Sequence, residues 1–299
     1  MSMSSTIEQL PTLGLGASLS LSSKPDPVTL VKTEGGPQFV EYAGLVDVER
    51  VIDEVERVQS AGAPVLYHPS YINFCGSFPN STTWLETTAK HIATVDSAWF
   101  AQDVAYCFWE AGHSYSTQLG YFIPPIFNEA SLQLAITRVK EVQQVIPVTV
   151  AVEPPPMCFI AGTMPLFTFF KYLAEETDCA ILLDMGHLVS YEMASGNNIS
   201  KELTELPIDR VIEVHVAGGK IKPTASGPVY VDAHECQIVD ETWDMFEKML
   251  PELSNVKAVC FECENVNQKQ VLTTLHKIRK KIQQHSVSQS LIEKMDLIA

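Results

Sequence analysis

The order of hydrophobic and polar positions divides this chain into short apolar runs separated by amphipathic stretches. Eight runs are rich in β-branched and other apolar residues and predict strands buried on both faces, at residues 13–20, 39–43, 64–69, 99–106, 147–153, 179–184, 210–219 and 258–264. Alternation of such strands with helices favours a parallel sheet, and eight repeats without a glycine-rich dinucleotide turn favour its closure. The pattern therefore predicts an α/β fold, a single (β/α)8 TIM barrel.

The stretches between these runs carry apolar residues at helical spacing, as at Val48, Val51, Val55 and Val58. The same reasoning predicts further helices over 82–96, from an Asn128 cap to about 142, from a Thr163 cap to about 176, around 200–206, over 240–250 and over 271–282. Residues 107–128 are rich in aromatics, Gly and Pro and predict a lid or mouth loop. Residues 1–12 are predicted to form a flexible tail, and residues 13–299 one metal-binding catalytic domain.

Composition and charge narrow the classes of function. The 299 residues are 46% hydrophobic, enough for a large core, and no apolar run approaches the about 20 residues that span a bilayer. The first residues also lack the basic start and apolar core of a signal peptide. Seven scattered cysteines, an odd number, argue against a disulfide framework and favour a reducing cytoplasm. A formal charge of −16 repels phosphate backbones, so we expect no nucleic-acid partner and no membrane.

Residues with metal-binding chemistry follow the predicted strands at their carboxyl ends, where the active sites of such barrels lie. The seventh run contains His215 and is followed by Asp232-Ala233-His234. A buried strand has little use for a histidine near its end unless something binds it. The other strand ends contribute further candidates: His68, Gln102, Asp103, Glu153, Asp184, His187, Glu262 and Glu264. Four of the 8 histidines fall at these ends, whereas we expect His91, His276 and His285 on helix surfaces.

A ring of imidazoles and carboxylates is a ligand set for iron, manganese or zinc. The predicted ligands are too many for one ion, so carboxylates would bridge two or three ions: His68, Asp103, Glu153, Asp184, His187, His215, Asp232, His234 and Glu262. The predicted catalytic residues among them are Asp184, His215 and Glu262, and the predicted supporting residues are Glu41, Gln102 and Glu264. Alternatives stay open for single residues: His68 as a hydrogen-bonded mouth residue, His187 as a brace, and Cys158, Cys260 and Cys263 as soft ligands or core thiols.

Six short motifs follow one another along the chain and carry a resemblance to a known family. They are Leu66-Tyr67-His68-Pro69, Glu153-Pro154-Pro155, Leu182-Leu183-Asp184-Met185-Gly186-His187, His215-Val216-Ala217-Gly218, Asp232-Ala233-His234 and Glu262-Cys263-Glu264. They look like the Leu-His-Gly, Glu-Asn-Pro, Leu-Leu-Asp-x-x-Asn, His-x-Ala-Gly, Asp-x-His and Glu-x-Asp segments of the multinuclear non-haem iron-dependent oxidative enzymes. That family is typified by the methanobactin-biosynthesis iron enzyme, and it is a subset of the xylose-isomerase-like TIM barrels.

The resemblance implies a cofactor of two or three irons (Fe2+/Fe3+), molecular oxygen as cosubstrate, and a role in natural-product biosynthesis. It also implies a small-molecule or peptide substrate, often modified at a cysteine and presented by a partner protein. The chain departs from the family pattern in three segments. The Ser-Glu-His of the fourth strand is Ala101-Gln102-Asp103 here, the Asn of Glu-Asn-Pro is Pro154, and the Asn that follows Leu-Leu-Asp is His187. An altered ligand set would change the metal number, the redox potential or the substrate.

Two other functions use the same residue types. A divalent-metal sugar isomerase or a zinc-dependent hydrolase also places Glu, Asp and His at barrel strand ends, although an isomerase usually has a lysine beside its metal carboxylates and these strand ends have none. A non-catalytic metal-binding scaffold, with the aromatic stretch 108–127 as a docking surface, is the third hypothesis. Metal identity and an open coordination site distinguish the three.

Overall fold

Eight parallel strands close into a barrel and follow one another around it in chain order. The computed structural model describes residues 7–21, 25–43, 48–108, 118–225, 227–264, 266–285 and 288–296. Its strands are β1 (Gly14–Ser18), β2 (Val40–Tyr42), β3 (Val65–Tyr67), β4 (Trp99–Asp103), β5 (Tyr106–Phe108), β6 (Gln118–Ile123), β7 (Thr149–Glu153), β8 (Ala180–Asp184), β9 (Val211–Ala217), β10 (Gly219–Thr224), β11 (Gly227–Asp232) and β12 (Ala258–Glu262). The barrel order is β1-β2-β3-β4-β7-β8-β9-β12, closed by β12 on β1, and it confirms the predicted α/β barrel.

Helices connect the barrel strands and cover the outside of the barrel. They are α1 (Pro27–Val31), α2 (Ile52–Ser60), α3 (Thr82–Val95), α4 (Glu129–Gln143), α5 (Leu166–Thr177), α6 (Met185–Ser195), α7 (Asp240–Met249), α8 (Gln268–Gln284) and α9 (Gln289–Asp296). Within the described ranges, no helix is both long enough and apolar enough to cross a bilayer.

Two sequence predictions about helices are wrong. Residues 200–206 form two short 3-10 turns, Ile199–Lys201 and Leu203–Glu205, and the α-helix of this connection is α6. It begins directly after β8 because the Asp184 side chain caps it, accepting a 2.7 Å hydrogen bond from the backbone N–H of His187. Thr163 does not cap α5, whose N-cap is Pro165, because Thr163 belongs to a turn in which its N–H donates to the carbonyl of Phe127.

The predicted mouth loop, 107–128, and the stretch after β9 both contain antiparallel hairpins. β5 pairs with β6, while residues 109–117 between them lie outside the described ranges. β10 pairs with β11 over six residue pairs, and Asp232 is the last residue of β11. The second hairpin therefore extends from the carboxyl end of β9 and returns to it, which explains how Asp232 and His234 reach the same barrel end as His215.

The amino-terminal half of the barrel interior is filled by apolar side chains. This lower cluster contains Ile7, Leu13, Phe39, Leu66, Trp99, Ala101, Ala151, Ala180, Leu182, Ile212, Ala258 and Cys260, each 4% exposed or less. Gly16 leaves room for the Phe39 ring, because a Cβ at position 16 would overlap it. Ile7 belongs to the predicted tail, so this part of the tail packs into the barrel, while residues 1–6 lie outside the described ranges. This cluster forms an apolar floor beneath the polar barrel end.

Candidate metal centre

The carboxyl ends of the barrel strands surround a polar cavity of about 150 Å³. Its walls are Ser18, Ala43, His68, Ser70, Asp103, Phe122, Glu153, His187, Asp232, His234, Glu262 and Glu264. Two further predicted ligands, Asp184 and His215, are fully buried and adjoin these walls: the Asp184 carboxylate lies 3.9 Å from His187, and the His215 imidazole lies 3.4 Å from Glu262. The structure thus brings all the predicted ligands to one place.

In the described part of the chain, the donor atoms fall into four groups, each with its atoms within 4.8 Å of one another. Three of them contain only predicted ligands: His68/Asp103/Glu153, Glu153/Asp184/His187 and Asp184/His215/Glu262. The fourth is Glu41/His215/Cys260. Because Glu153 and Asp184 each belong to two of the first three groups, these carboxylates are suited to bridging neighbouring ions.

His187 lies at the N-terminal turn of α6, with its two ring nitrogens in different surroundings. Nδ1 is 2.8 Å from the carbonyl oxygen of Pro154, and because a carbonyl only accepts, this nitrogen carries the proton. Nε2 is directed at Asp232, 3.5 Å away, and at Asp184, 3.9 Å away. The backbone contact therefore assigns Nε2 as the nitrogen that could bind a metal.

His234 is oriented in the same manner by a carboxylate. Its Nδ1 lies 2.7 Å from Glu264, and the other oxygen of Glu264 accepts a 2.6 Å hydrogen bond from the Ser18 hydroxyl. Nε2 lies 3.2 Å from Asp232 and 3.5 Å from Glu262. Glu264 thus contacts His234, and His234 presents Nε2 to the carboxylates of two predicted ligands.

The remaining two histidines lie side by side, with ring centroids 5.3 Å apart. His68 Nε2 is 3.5 Å from Glu153, so His68 faces the centre from the carboxyl end of β3. His215 meets carboxylates on both sides: Nδ1 is 3.4 Å from Glu262, and Nε2 is 3.4 Å from Glu41. Glu41, which is predicted as a supporting residue, is 1% exposed and contacts His215 directly.

Burial and mutual repulsion disturb the pKa values of the carboxyl groups. Burial, together with the charges of Glu262 and Asp232, raises the pKa of Asp184 to about 7. Burial and the charge of Glu153 raise the pKa of Asp103 well above its usual value. Burial by itself would raise the pKa of Asp232, but hydrogen bonds from His187 and His234 outweigh this effect and lower the pKa to about 2. The centre therefore holds more carboxylate charge than its histidines neutralise.

The imidazoles respond to this excess of negative charge. Burial lowers their pKa values, but neighbouring carboxylates outweigh it at His187, through Asp184, and at His215, through Glu41, so both pKa values lie well above the usual one. These raised pKa values favour protons on the imidazole nitrogens that a metal ion could bind. Metal binding would displace them, because a metal ligand imidazole must offer a free lone pair.

Unpartnered buried donor atoms show that the residues fit a metal. Among the described residues, the buried side-chain atoms without a hydrogen-bond partner include Asp103 Oδ1, Glu153 Oε2, Asp184 Oδ2, Asp232 Oδ1, His68 Nδ1 and both ring nitrogens of His215. Leaving such atoms unpaired costs about 1–3 kcal/mol each, and more for charged groups. Imidazole and carboxylate donors in this number suit iron, manganese or zinc.

The prediction for His91 is wrong, and sequence reasoning overlooked Glu213. His91 is not on a helix surface: it is 2% exposed, stacks on Tyr67 at 4.0 Å and hydrogen-bonds to Tyr42, because α3 packs this face on the barrel. Gln102 is fully buried and holds the loop after β3 through the N–H and carbonyl of Ile72. Glu213 is fully buried beside His215 and was not among the candidates. Its spacing two residues before His215 is the signal that could have found it.

A family model described as RiPP precursor modification enzyme MbnB/TglH/ChrH matches residues 39–286. A UPF0276 protein of Anaeromyxobacter sp. is 23% identical over 70% of both chains. UPF0276 proteins of Vibrio parahaemolyticus and Rhizobium meliloti are 26% and 28% identical, over 42% and 45% of this chain. The matched region spans less than half of the latter two proteins, 44% and 45% of their lengths.

Solved structures with the same fold include a xylose isomerase domain-containing protein of Salmonella typhimurium, with a TM-score of 0.58 at 10% identity over 92% of this chain and 99% of that one. D-psicose 3-epimerase gives a TM-score of 0.54 at 13% identity over 96% and 95% of the two chains. These likenesses confirm the xylose-isomerase-like TIM barrel. The family match covers most of the chain and confirms the resemblance carried by the motifs, so the chain belongs to the MbnB/TglH/ChrH family of RiPP precursor modification enzymes.

Proposed function

We propose that this protein is an oxidoreductase that modifies a peptide with molecular oxygen on a cluster of two or three iron ions. The observation that carries the proposal is the set of overlapping donor groups, in which Glu153 and Asp184 are each shared by two groups. One ion could take one of these groups, whereas a cluster of neighbouring ions would use all three groups that share Glu153 and Asp184. Family membership supports a modified ribosomal peptide as the substrate class.

The ligands are proposed residue by residue. His68, Asp103 and Glu153 would hold one ion, Glu153, Asp184 and His187 a second, and Asp184, His215 and Glu262 a third, with Asp232 and His234 completing the open side. When bound, iron would activate molecular oxygen, which would accept the electrons removed from the peptide. We assign the catalytic roles to Asp184, His215 and Glu262, because this donor group joins two fully buried predicted ligands to Glu262, which lines the cavity.

Two of the departures from the family pattern lie next to each other. Asp103 replaces a histidine on the fourth strand, and His187 replaces an asparagine after the sixth, and their side chains approach to 3.8 Å. The imidazole lost from β4 is therefore regained from α6 across the same part of the centre. We propose that this exchange preserves the number of imidazole donors there.

The size of the cavity supports a peptide side chain as the reacting group. Its volume of about 150 Å³ lies below the roughly 300–1,000 Å³ of pockets that enclose whole small ligands. Phe122 of β6 and Ala43 give the wall an apolar part that limits water, and Ser18 and Ser70 offer hydroxyls. One side chain, such as that of cysteine, would enter while the peptide remains outside, presented by a partner protein.

The rival functions are a divalent-metal sugar isomerase or hydrolase and a non-catalytic metal scaffold. The fold favours the first, since a solved neighbour is D-psicose 3-epimerase, but a likeness at 13% identity shows the fold alone. No lysine or arginine is among the described residues that line the cavity. A scaffold would have no need of a cavity beside its ligands.

Reconstitution tests the proposal. Protein purified without oxygen is loaded with ferrous iron and mixed with short cysteine-containing peptides, and oxygen uptake is recorded with the peptide mass. We expect uptake above the peptide-free rate together with a mass change, both abolished in Asp184→Asn. Exposed Asp244 on α7 supplies the matched control, Asp244→Asn, which should retain both signals. Preferential binding of manganese or zinc with sugar isomerisation or hydrolysis would contradict the proposal.

A further inference from the structure

Strand β9 contains an irregularity at Ile212, three residues before His215. Ile181 of β8 pairs with Val211, but the next residue, Leu182, pairs with Glu213, so Ile212 is an extra residue in the ladder. Such a β-bulge interrupts the strict alternation of inward and outward side chains. Ile212 lies in the lower cluster, and Glu213 contacts His215 inside the barrel. Without the bulge, the alternation that puts Ile212 inside would put His215 outside.

The residue turned inward by the bulge is a glutamate that does not line the cavity. Glu213 is fully buried, and its Oε2 accepts a 2.6 Å hydrogen bond from the indole N–H of Trp99 in the lower cluster. Its other oxygen, Oε1, has no hydrogen-bond partner and lies 3.7 Å from His215 Nε2. Burying a carboxylate this deeply is costly unless it serves a partner. The oxygen without a hydrogen bond, Oε1, is directed at His215.

We propose that Glu213 is a positioning residue for His215, acting as the carboxylate of a carboxylate–histidine–metal arrangement. Oε1, 3.7 Å from His215 Nε2, would accept the N–H of this nitrogen when His215 binds a metal, with Glu41 Oε2 3.4 Å from the same nitrogen as a second acceptor. This fixes the tautomer that leaves Nδ1, 3.4 Å from Glu262, free for the metal. Trp99 holds the carboxylate in place from below. The proposal rests on the metal-binding part of the proposed function.

If Glu213 positions His215, substitution of Glu213 should lower the metal affinity. Outer carboxylates of metal-bound histidines orient the ring and raise its basicity, and their removal typically costs about 10–100-fold in metal affinity. Glu213→Gln replaces one carboxylate oxygen by an NH2 group, which cannot accept from His215, while the remaining oxygen can still bond Trp99. Glu213→Asp keeps the acceptor on a shorter side chain and should restore part of the affinity.

The experiment is anaerobic titration of the full chain with Co2+, competed against a chelator and read by the visible spectrum of the bound ion. We expect Glu213→Gln to keep the number of ions and to lose about 10–100-fold in affinity for one of them, with an altered band for that ion. Glu213→Asp should lose less, and Glu202→Gln, at a partly buried glutamate bonded to Tyr191, should match the wild type. Co2+ binding needs neither oxygen nor peptide, so it separates this proposal from the oxidation chemistry.

Three results would overturn the positioning role. The first is a Glu213→Gln protein with wild-type affinity and spectrum. The second is the loss of one whole ion from both Glu213→Gln and Cys260→Ser, since this would make Glu41, Glu213 and Cys260 a metal site of their own. The third is a wild-type protein that takes up no divalent ion, which removes the metal centre altogether. If Glu213→Gln fails to fold, Glu213→Asp and Trp99→Phe carry the same comparison.

Discussion

The two halves of the barrel interior differ sharply, although the same strands build both. Moving two residues toward the carboxyl end replaces Leu182 by Asp184 on β8, and Ala151 by Glu153 on β7. Below this boundary, apolar side chains satisfy one another by packing. Above it, carboxylates and imidazoles leave buried atoms unpaired. The lower half therefore stabilises the fold by itself, whereas the upper half needs a ligand from outside the chain.

Removing a shared ligand from the upper half should have the largest effect. Asp184→Asn keeps the cap of α6, since Asn also accepts from the His187 N–H, but removes the charge that two donor groups share. We expect the loss of at least one ion per chain by elemental analysis, with the metal-free variant as stable as the metal-free wild type. Retention of every ion would show that Asp184 is not a ligand.

A truncation in the lower half should act in the opposite way. Leu182 is fully buried in the apolar cluster, so Leu182→Ala should lower the free energy of unfolding by about 2–5 kcal/mol. The number of bound ions at 25 °C should not change, because the ligands above remain. Urea denaturation and elemental analysis measure the two quantities on one sample. A loss of metal equal to that in Asp184→Asn would refute the division of the interior.

The free energy of unfolding should depend on pH differently in the metal-free and the metal-loaded protein. The pKa of Asp184 is raised to about 7 from an unfolded value near 3.8, so the folded state binds the extra proton between these pH values. Its contribution to the free energy of unfolding is therefore present below pH 4 and lost as the pH rises through 7. The raised pKa values of His187 and His215 act in the same direction above pH 6.5.

The measurement is urea denaturation at pH 5 and pH 8, with and without divalent metal. We expect the stabilisation by metal to be larger at pH 8, since protons no longer compete for the ligands. Equal stabilisation at both values would show that these groups do not bind the ion.

The smallest effect should come from the outer support of His234. Ser18→Ala removes the 2.6 Å hydrogen bond to Glu264, which in turn orients His234. A net hydrogen bond contributes about 1 kcal/mol, so we expect metal affinity to fall about fivefold with no change in the number of ions. Chelator competition measures it, and an unchanged affinity would remove Ser18 from the supporting set.

The strand order and most candidate ligands could be predicted from the sequence because both depend on local pattern. An apolar run followed by Asp, Glu or His identifies a buried strand and its chemical end, as for Glu153 and Asp184. Glu213 could not be predicted in this way, since its inward direction depends on a bulge in the pairing with β8. The burial of His91 depends on the packing of α3, and α6 was missed because Asp184 acts as both candidate ligand and helix cap.

The central claim is that the upper half of the barrel holds more than one iron. Protein grown with iron-57 and purified without oxygen should be analysed for metal content and by Mössbauer spectroscopy. The account predicts two or three irons per chain, with signals of coupled ions that disappear in Asp184→Asn. A single uncoupled ion, or zinc or manganese in place of iron, would contradict it.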